Sequence, residues 1–424
     1  MSEHPLSRTA DLIALDAFPG LGSQECIETL TGVRIRLAAD STSLLNAGGQ
    51  TALAAAFLSL AQMGFRITLD FPDVPLIGRQ PPLEGATIRS AVEAHAEQLV
   101  QPCVDDREHD LTIGIGAIDP GHGGYSVSPG EPGTQAVRGS RGVPWRSPDP
   151  IAATMAGVLA AAVALPIALR RLESSFGLKA PSHLRTQPDQ ITVAFPALPG
   201  LRLDIGDVDV VSAGAITNAC LFVLLRSDVI GSLRVFDDDR FEVTNLNRYA
   251  LLRRPDLGRP KVDRLRDFTT ARLSIAGTAA RYPSPSQSQP ASRVLVGADN
   301  LKARRGAQLL EPRWLHVAGT THFEVISSSH EPGRACAGCV HPRDDAAEDE
   351  VIPTISYVSM LAGVLQAQAL LESAASRRPV NYYCWANNLG GPSGIWPFDP
   401  KPNPACPLRC QASRNASTDS GERV

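Results

Sequence analysis

The chain has little charge of either sign to spare: among 424 residues, 40 Lys and Arg face 44 Asp and Glu, for a formal net charge of -4. So near a balance removes the electrostatic case for nucleic acid or an anionic membrane surface, and neither is expected as a partner. The opening "MSEHPLSRTADLIALDAF" lacks a basic region followed by an apolar run and a small-residue cleavage site. No secretory signal is therefore expected, and the expected location is cytoplasmic. A comfortable membrane span is missing as well. The most apolar stretch, "IAATMAGVLAAAVALPIAL" (residues 151–169), is Ala-rich, holds Pro166 and runs into "RRLESSFG". A buried helix in a large core accounts for it better. Cysteine is present eight times but forms only two close pairs, which in an unsecreted protein point to metal before disulfides.

What is present reads as two rhyming α/β halves. The length favours two domains, and 34 Pro with 35 Gly fit many turns. In the first half, "NAGGQTALAAAFLSLAQMGFRITLDFPDV" offers a glycine turn at Gly48 and Gly49, an Ala/Leu helix, a stop at Gly64 and a strand ending at Asp70. In the second half, "VDVVSAGAITNACLFVLLRSDVIGSLRVFDDD" offers strand, turn at Gly214, apolar helix, stop near Gly231 and a strand ending at Asp237. Each is the turn-helix-strand unit that starts a doubly wound sheet. Further on, "DPIAATMAGVLAAAVALPIALRRL" is answered by "IPTISYVSMLAGVLQAQALLES". The expectation is a tandem of two doubly wound, Rossmann-like domains, residues 1–180 and 190–411, divided within residues 174–190. Residues 118–150, rich in Gly, Pro and Ser, read as a long loop or flap. Residues 412–424 read as a disordered tail.

The chemistry concentrates in the second half. The turn Ser212-Ala213-Gly214-Ala215-Ile216-Thr217 is a weak nucleotide fingerprint, because glycines would be wanted where Ser212 and Thr217 stand. Small residues there still let helix N–H groups approach a phosphate, although tight strand-helix packing explains them equally well. Asp237 stands at a strand end, where such folds place an acid for ribose hydroxyls; a solvated strand-end Asp is the plainer reading. Downstream, Asn245, Arg248 and Lys261 bring an amide, a guanidinium and an ammonium to one region, with the Gly258-Arg259-Pro260 turn aiming the lysine. Such groups suit a polyphosphate and its leaving group. Asp299 ends a strand at residues 294–296 and can hold a magnesium bridging phosphates, where an isolated Asp would more often cap a helix. Arg304 and Arg305 follow on that helix. Cys336-x-x-Cys339 and Cys406-x-x-x-Cys410 together make a four-thiolate zinc site, and two disulfides would need an oxidising compartment. Cys26, Cys103, Cys220 and Cys384 read as buried single thiols.

In order along the chain, the Asp237/Asp239 pair, Asn245-Leu246-Asn247-Arg248, Gly258-Arg259-Pro260-Lys261 and Asp299-Asn300 resemble the signature of the ThiF family of ubiquitin-activating-type adenylyltransferases, over residues 208–410. That resemblance implies ATP-dependent adenylation, with magnesium, of the C-terminal carboxylate of a ubiquitin-like protein or peptide. By it, Gly214, Asp237 and Asp239 belong to the nucleotide site, with Asp237 on the ribose, while Asn245, Arg248 and Lys261 hold the triphosphate. Asp299 becomes the magnesium ligand or catalytic acid, and the four-cysteine knuckle is a family feature. The family commonly borrows an arginine from a partner domain, a part the first half can play, with Arg34, Arg36 and Arg79 in view. The chain is then a pseudo-dimer by itself, with a homodimer left open, and a conjugating-enzyme-like acceptor is a further expected partner.

The resemblance has gaps that carry expectations of their own. Thioester-forming relatives hold a cysteine before the late helix, whereas here none lies between Cys339 and Cys384, and Asp344, Asp345, Glu348 and Glu350 occupy that region. An enzyme that forms no thioester with itself is expected. Two other readings stand beside it. A nicotinamide-dependent oxidoreductase explains Asp237 but leaves Arg248, Lys261 and the knuckle idle. A scaffold that binds a ubiquitin-like protein without turnover draws support from the worn glycine turn.

Overall fold

The computed structural model describes residues 4–104, 108–131, 133–196, 198, 202–284, 289–341, 353–389 and 394–410. Its strands are β1 (Arg34–Ala39), β2 (Arg66–Asp70), β3 (Leu111–Ile115), β4 (Tyr125–Pro129), β5 (Thr134–Arg138) and β6 (Gln190–Val193) in the first half. The second half holds β7 (Leu203–Val211), β8 (Val229–Phe236), β9 (Leu273–Thr278), β10 (Arg293–Val296), β11 (Trp314–Thr321), β12 (Glu324–His330), β13 (Asn381–Trp385) and β14 (Ile395–Phe398). One sheet runs β2-β1-β3-β4-β5-β6 and the other β14-β13-β12-β11-β10-β7-β8-β9. Striking β9 and β14 from the second leaves the same order, parallel through the first four strands and antiparallel in the last two. The expected tandem of doubly wound units is what the chain forms.

The pairing of halves reaches the helices between the sheets. Helix Ala47–Gln62 follows β1 and helix Ala215–Leu224 follows β7; helices Pro150–Phe176 and Ser356–Ala374 close the two units. In the closing helices the shared "AGVL" places Gly157 and Gly363 at matching points. A Cβ on Gly157 would lie 2.5 Å from the Ala55 carbonyl oxygen, and one on Gly363 would lie 2.3 Å from the Ala219 Cβ. Each glycine therefore lets its helix press against the earlier helix of its own unit. All four helices feed one apolar core that runs through both halves. Helix Pro150–Phe176 is long and apolar enough to cross a membrane by composition, but 83% of its most apolar window is buried inside the fold. A core role satisfies those side chains without lipid.

Several local expectations change. Residues 118–150 are not one loop, because β4 and β5 lie within them, built from alternating residues such as Tyr125 and Val127 that face the core. Gly48 and Gly49 sit inside the first turn of helix Ala47–Gln62 rather than in a turn before it. Gly231 lies within β8 at a φ of 147°, beside the irregularity in β7, and is not the helix stop. β6 still bonds to β5, so the first sheet runs past the expected division within residues 174–190. The proposed tail, residues 412–424, lies outside the described residues.

The first half also fills its own strand-end crevice. Asp40 follows β1 and accepts from the Ser43 N–H at 2.9 Å and the Ala117 N–H at 2.7 Å. Ser43 Oγ in turn accepts from the N–H of Trp145, which is fully buried. Side chains occupy the space at the ends of β1 and β3.

Candidate active site

In the second half the same strand ends are built differently. Ser212, directly after β7, adopts a φ of 79°, the left-handed region that favours glycine. Its conformation is held by a polar web. Asp237 Oδ2 accepts from the Ala213 N–H at 2.7 Å and the Ser212 hydroxyl at 3.3 Å, and Ser212 Oγ accepts from the Gly214 N–H at 3.1 Å. The Thr217 hydroxyl donates back to the Ser212 carbonyl at 2.7 Å. The residues that break the glycine pattern thus support the glycine-type backbone with hydrogen bonds. Gly214 caps helix Ala215–Leu224, whose first N–H groups have no partner within the helix. Asp237 is buried, which pushes its carboxyl above the ordinary range, while Lys261 and the N–H groups of Asp239 and Ala213 pull it back.

The two sequence motifs that follow β8 are zipped to each other. Phe241 N–H donates to the Arg259 carbonyl at 3.0 Å, Gly258 N–H to the Phe241 carbonyl at 2.9 Å, and Lys261 N–H to the Asp239 carbonyl at 3.0 Å. Gly258, at a φ of 81°, makes the tight approach possible. Behind the turn, buried Asp256 holds Arg264 at 3.1 Å and Arg259 at 3.2 Å. Lys261 emerges from it with Nζ donating to Asp239 Oδ2 at 2.6 Å. Burial pulls the Lys261 ammonium down, but the Tyr249 hydroxyl and the Asp237 and Asp239 carboxylates outweigh it and hold the pKa above the ordinary lysine value.

Arg248 is buried too, and burial lowers its pKa to about 10. It donates at 2.6 Å to both the Thr244 carbonyl and Asn247 Oδ1. Asn245 Oδ1 accepts from the Glu242 N–H at 3.0 Å, closing the short turn that carries the arginine, and among the described residues its amide donors meet no partner. Asp299 is exposed just past β10, within electrostatic reach of both Arg248 and the buried Arg304. The helix cap there is Asn300, which accepts from the Ala303 N–H at 2.8 Å, so Asp299 is not spent on capping.

Two residues absent from the sequence expectations stand in this crevice. Tyr249 lies close to both cations, its ring centroid 5.3 Å from Arg248 Cζ and 5.9 Å from Lys261 Nζ. Arg8, on helix Ser7–Asp16 of the first half, lies close enough to lower the Arg248 pKa by charge repulsion. Arg34 pairs with Glu108 and Arg36 with Asp70 on the first sheet, and Arg79 is exposed on a loop of the first half. Thr9 accepts from Asn247 Nδ2 and so anchors Arg8's helix, a contact no sequence spacing announces.

The four cysteines converge as expected. Sγ–Sγ distances are 3.5 Å for Cys336–Cys406, 3.6 Å for Cys339–Cys410 and 3.9 Å for Cys336–Cys339. Four thiolates on a tetrahedral zinc with bonds of about 2.3 Å lie about 3.8 Å apart, so the cluster fits that ion. Gly338 leaves the room, since a Cβ there would sit 3.2 Å from the Cys406 sulfur. The knuckle docks on the helix after Asp299 through the Ala337 N–H, which donates to Gln308 at 3.0 Å. Cys384 is fully buried on β13 and burial pushes its thiol up. The acids Asp344, Asp345, Glu348 and Glu350 lie outside the described residues.

Comparison with known proteins finds likenesses over part of the chain. The uncharacterized protein y4jF of Sinorhizobium fredii is 31% identical over 185 residues, 41% of this chain and 35% of that protein, so the chain spans about a third of its relative's length. The crystal structure of E. coli MccB with ATP is 17% identical, covering 48% of this chain and 66% of that one at a TM-score of 0.41. The structure of E. coli MccB with MccA-N7isoASN is 16% identical, covering 48% and 67% at the same TM-score of 0.41. The family model described as ThiF family matches residues 201–408, the stretch that carries the turn, both cation motifs, Asp299 and three of the four cysteines. Residues 201–408 of this chain are a ThiF family domain.

Proposed function

We propose that the second half adenylates the C-terminal carboxylate of a ubiquitin-like protein or peptide, using ATP and magnesium and releasing pyrophosphate. The observation that carries this reading is the pair of buried cations, Arg248 and Lys261, gathered around Tyr249 at the Gly214 turn, with exposed Asp299 nearby. A guanidinium buried as deeply as Arg248, met by a carbonyl and an amide oxygen, is costly to keep without an anion. The carboxylate oxygen attacks the α-phosphorus and the bond to the β-phosphate oxygen breaks. Arg248, Lys261 and Asn245 stabilise charge on the transferred and departing phosphates, Asp237 and Asp239 belong to the ribose side, and Asp299 would hold the magnesium. Arg8 of the first half completes the site from within the chain. Zinc at the knuckle supplies rigidity and no chemistry. The acyl-adenylate passes to an external nucleophile, such as a conjugating-enzyme-like acceptor, and the setting is cytoplasmic.

A scaffold that binds without turnover gains from the non-glycine residues of the turn. The left-handed φ of Ser212 favours the enzyme, because the backbone retains the shape that the replaced glycine would give. ATP-pyrophosphate exchange over a panel of acyl proteins and peptides tests the choice. Exchange with any of them supports adenylation, and partner binding without exchange across the panel leaves the scaffold.

A further inference from the structure

We propose that the Tyr249 hydroxyl donates a hydrogen bond to a phosphate of the bound nucleotide, while its ring keeps Arg248 and Lys261 on either side of that phosphate. The inference rests on the adenylation reading of the same crevice and adds a ligand-contacting group to it. Tyr249 is only 4% exposed, although it carries a polar tip. Phe241 packs edge-on against its ring at 5.7 Å, and Leu246 and Leu252 complete the apolar wall. From the first half, Gln62 Nε2 donates to the Tyr249 carbonyl at 2.8 Å and fixes the backbone. The ring is therefore immobilised from three sides.

Its hydroxyl points to the start of helix Ala215–Leu224, where a Cβ built on Gly214 would lie 3.8 Å from it. Among the described residues that hydroxyl meets no hydrogen-bond partner. The hydroxyl itself is not closed off from the crevice, so at a helix N-terminus with no protein acceptor it is free to donate to a bound group. The acceptor has to be anionic. Unsatisfied helix N–H groups and two cations surround the same spot, and the nearby Asp237 and Asp239 carboxylates are already engaged with backbone N–H groups and Lys261. The two cations also share the electron-rich ring, which offsets part of their mutual repulsion. A nucleotide phosphate meets all of these demands at once.

The test uses the full chain, magnesium, and calorimetric titration with ATP and with adenosine. Tyr249→Phe keeps the ring and removes only the hydroxyl. ATP binding should weaken by about tenfold or more, the effect of one hydrogen bond to a charged group, with adenosine binding unchanged. Tyr249→Leu should add a loss of exchange activity, because Arg248 and Lys261 lose the ring that both sit against. ATP affinity within twofold of wild type in Tyr249→Phe would overturn the proposal. So would an equal loss for ATP and adenosine, which would mark a purely structural ring. If the wild-type chain binds ATP but exchanges no pyrophosphate, the adenylation reading falls, and the ATP-to-adenosine comparison still decides the tyrosine. Wild-type protein that binds no ATP overturns both.

Discussion

Asn247 of the second half donates from Nδ2 to the hydroxyl of Thr9 in the first half, at 2.8 Å, and both residues are fully buried. That bond joins the cation motif to helix Ser7–Asp16, from which Arg8 comes within electrostatic reach of Arg248. Arg8→Ala should therefore lower pyrophosphate exchange, on the order of a hundredfold, the scale of a lost donor at a developing anion. The melting temperature should stay put, because Arg8 is only half-buried. Exchange close to wild type in that variant would remove the first half from the active site.

Arg248→Ala and Lys261→Ala should each cost about 2.7–4 kcal/mol in transition-state stabilisation. Asp239→Asn serves as the milder control, because it removes the negative partner of Lys261 and keeps the ammonium. Steady-state exchange kinetics with ATP varied separate the three. A Lys261→Ala enzyme with near-full activity would show the triphosphate lies elsewhere.

The four-cysteine knuckle should bind one zinc per chain. Metal analysis of protein purified without added zinc is expected to return close to one equivalent, and a Cys406→Ser/Cys410→Ser double variant should lose it. Loss of the metal should also depress exchange, because the knuckle holds the helix beyond Asp299 through Gln308. A stable double variant with full metal content would refute the assignment.

Acid should destabilise the fold early. His95 and His316 are buried, and burial, followed by Arg253 and Arg264 for His95 and by His330 for His316, lowers both to about 3. Unfolded, each protonates near 6.5. The unfolded chain binds the extra protons between those values, so stability falls as pH drops below 6.5. The loss approaches about 1.4 kcal/mol per pH unit for each histidine. Urea unfolding at pH values across this window should show the slope, and it should flatten in a His95→Gln/His316→Gln variant. An unchanged slope would place the acid sensitivity elsewhere.

No lasting thioester should form on the enzyme itself. Cys384, fully buried in β13, has its thiol pushed up by burial, and no other cysteine lies between it and Cys339. Incubation with ATP, magnesium and an acyl protein that supports exchange should give no thiol-sensitive adduct on a non-reducing gel. Such an adduct, absent from Cys384→Ala, would make Cys384 the transfer residue.

The unit that opens each half and the long helix that closes it were legible in the chain because hydrophobic periodicity is a local property. Motifs such as Asn245 to Arg248 and Gly258 to Lys261 could be read for the same reason, since each is contiguous and chemically distinctive. Tertiary packing decided the rest. It placed Tyr249 against two cations and brought Arg8 within electrostatic reach of Arg248 from the far end of the chain, a juxtaposition that sequence separation hides. It drew β4 and β5 out of a Gly- and Pro-rich stretch, where cross-strand bonding overrode weak local propensity. It also kept a left-handed turn at Ser212, because hydrogen bonds linking Asp237, Thr217 and Gly214 to that turn stabilise a conformation that serine alone disfavours.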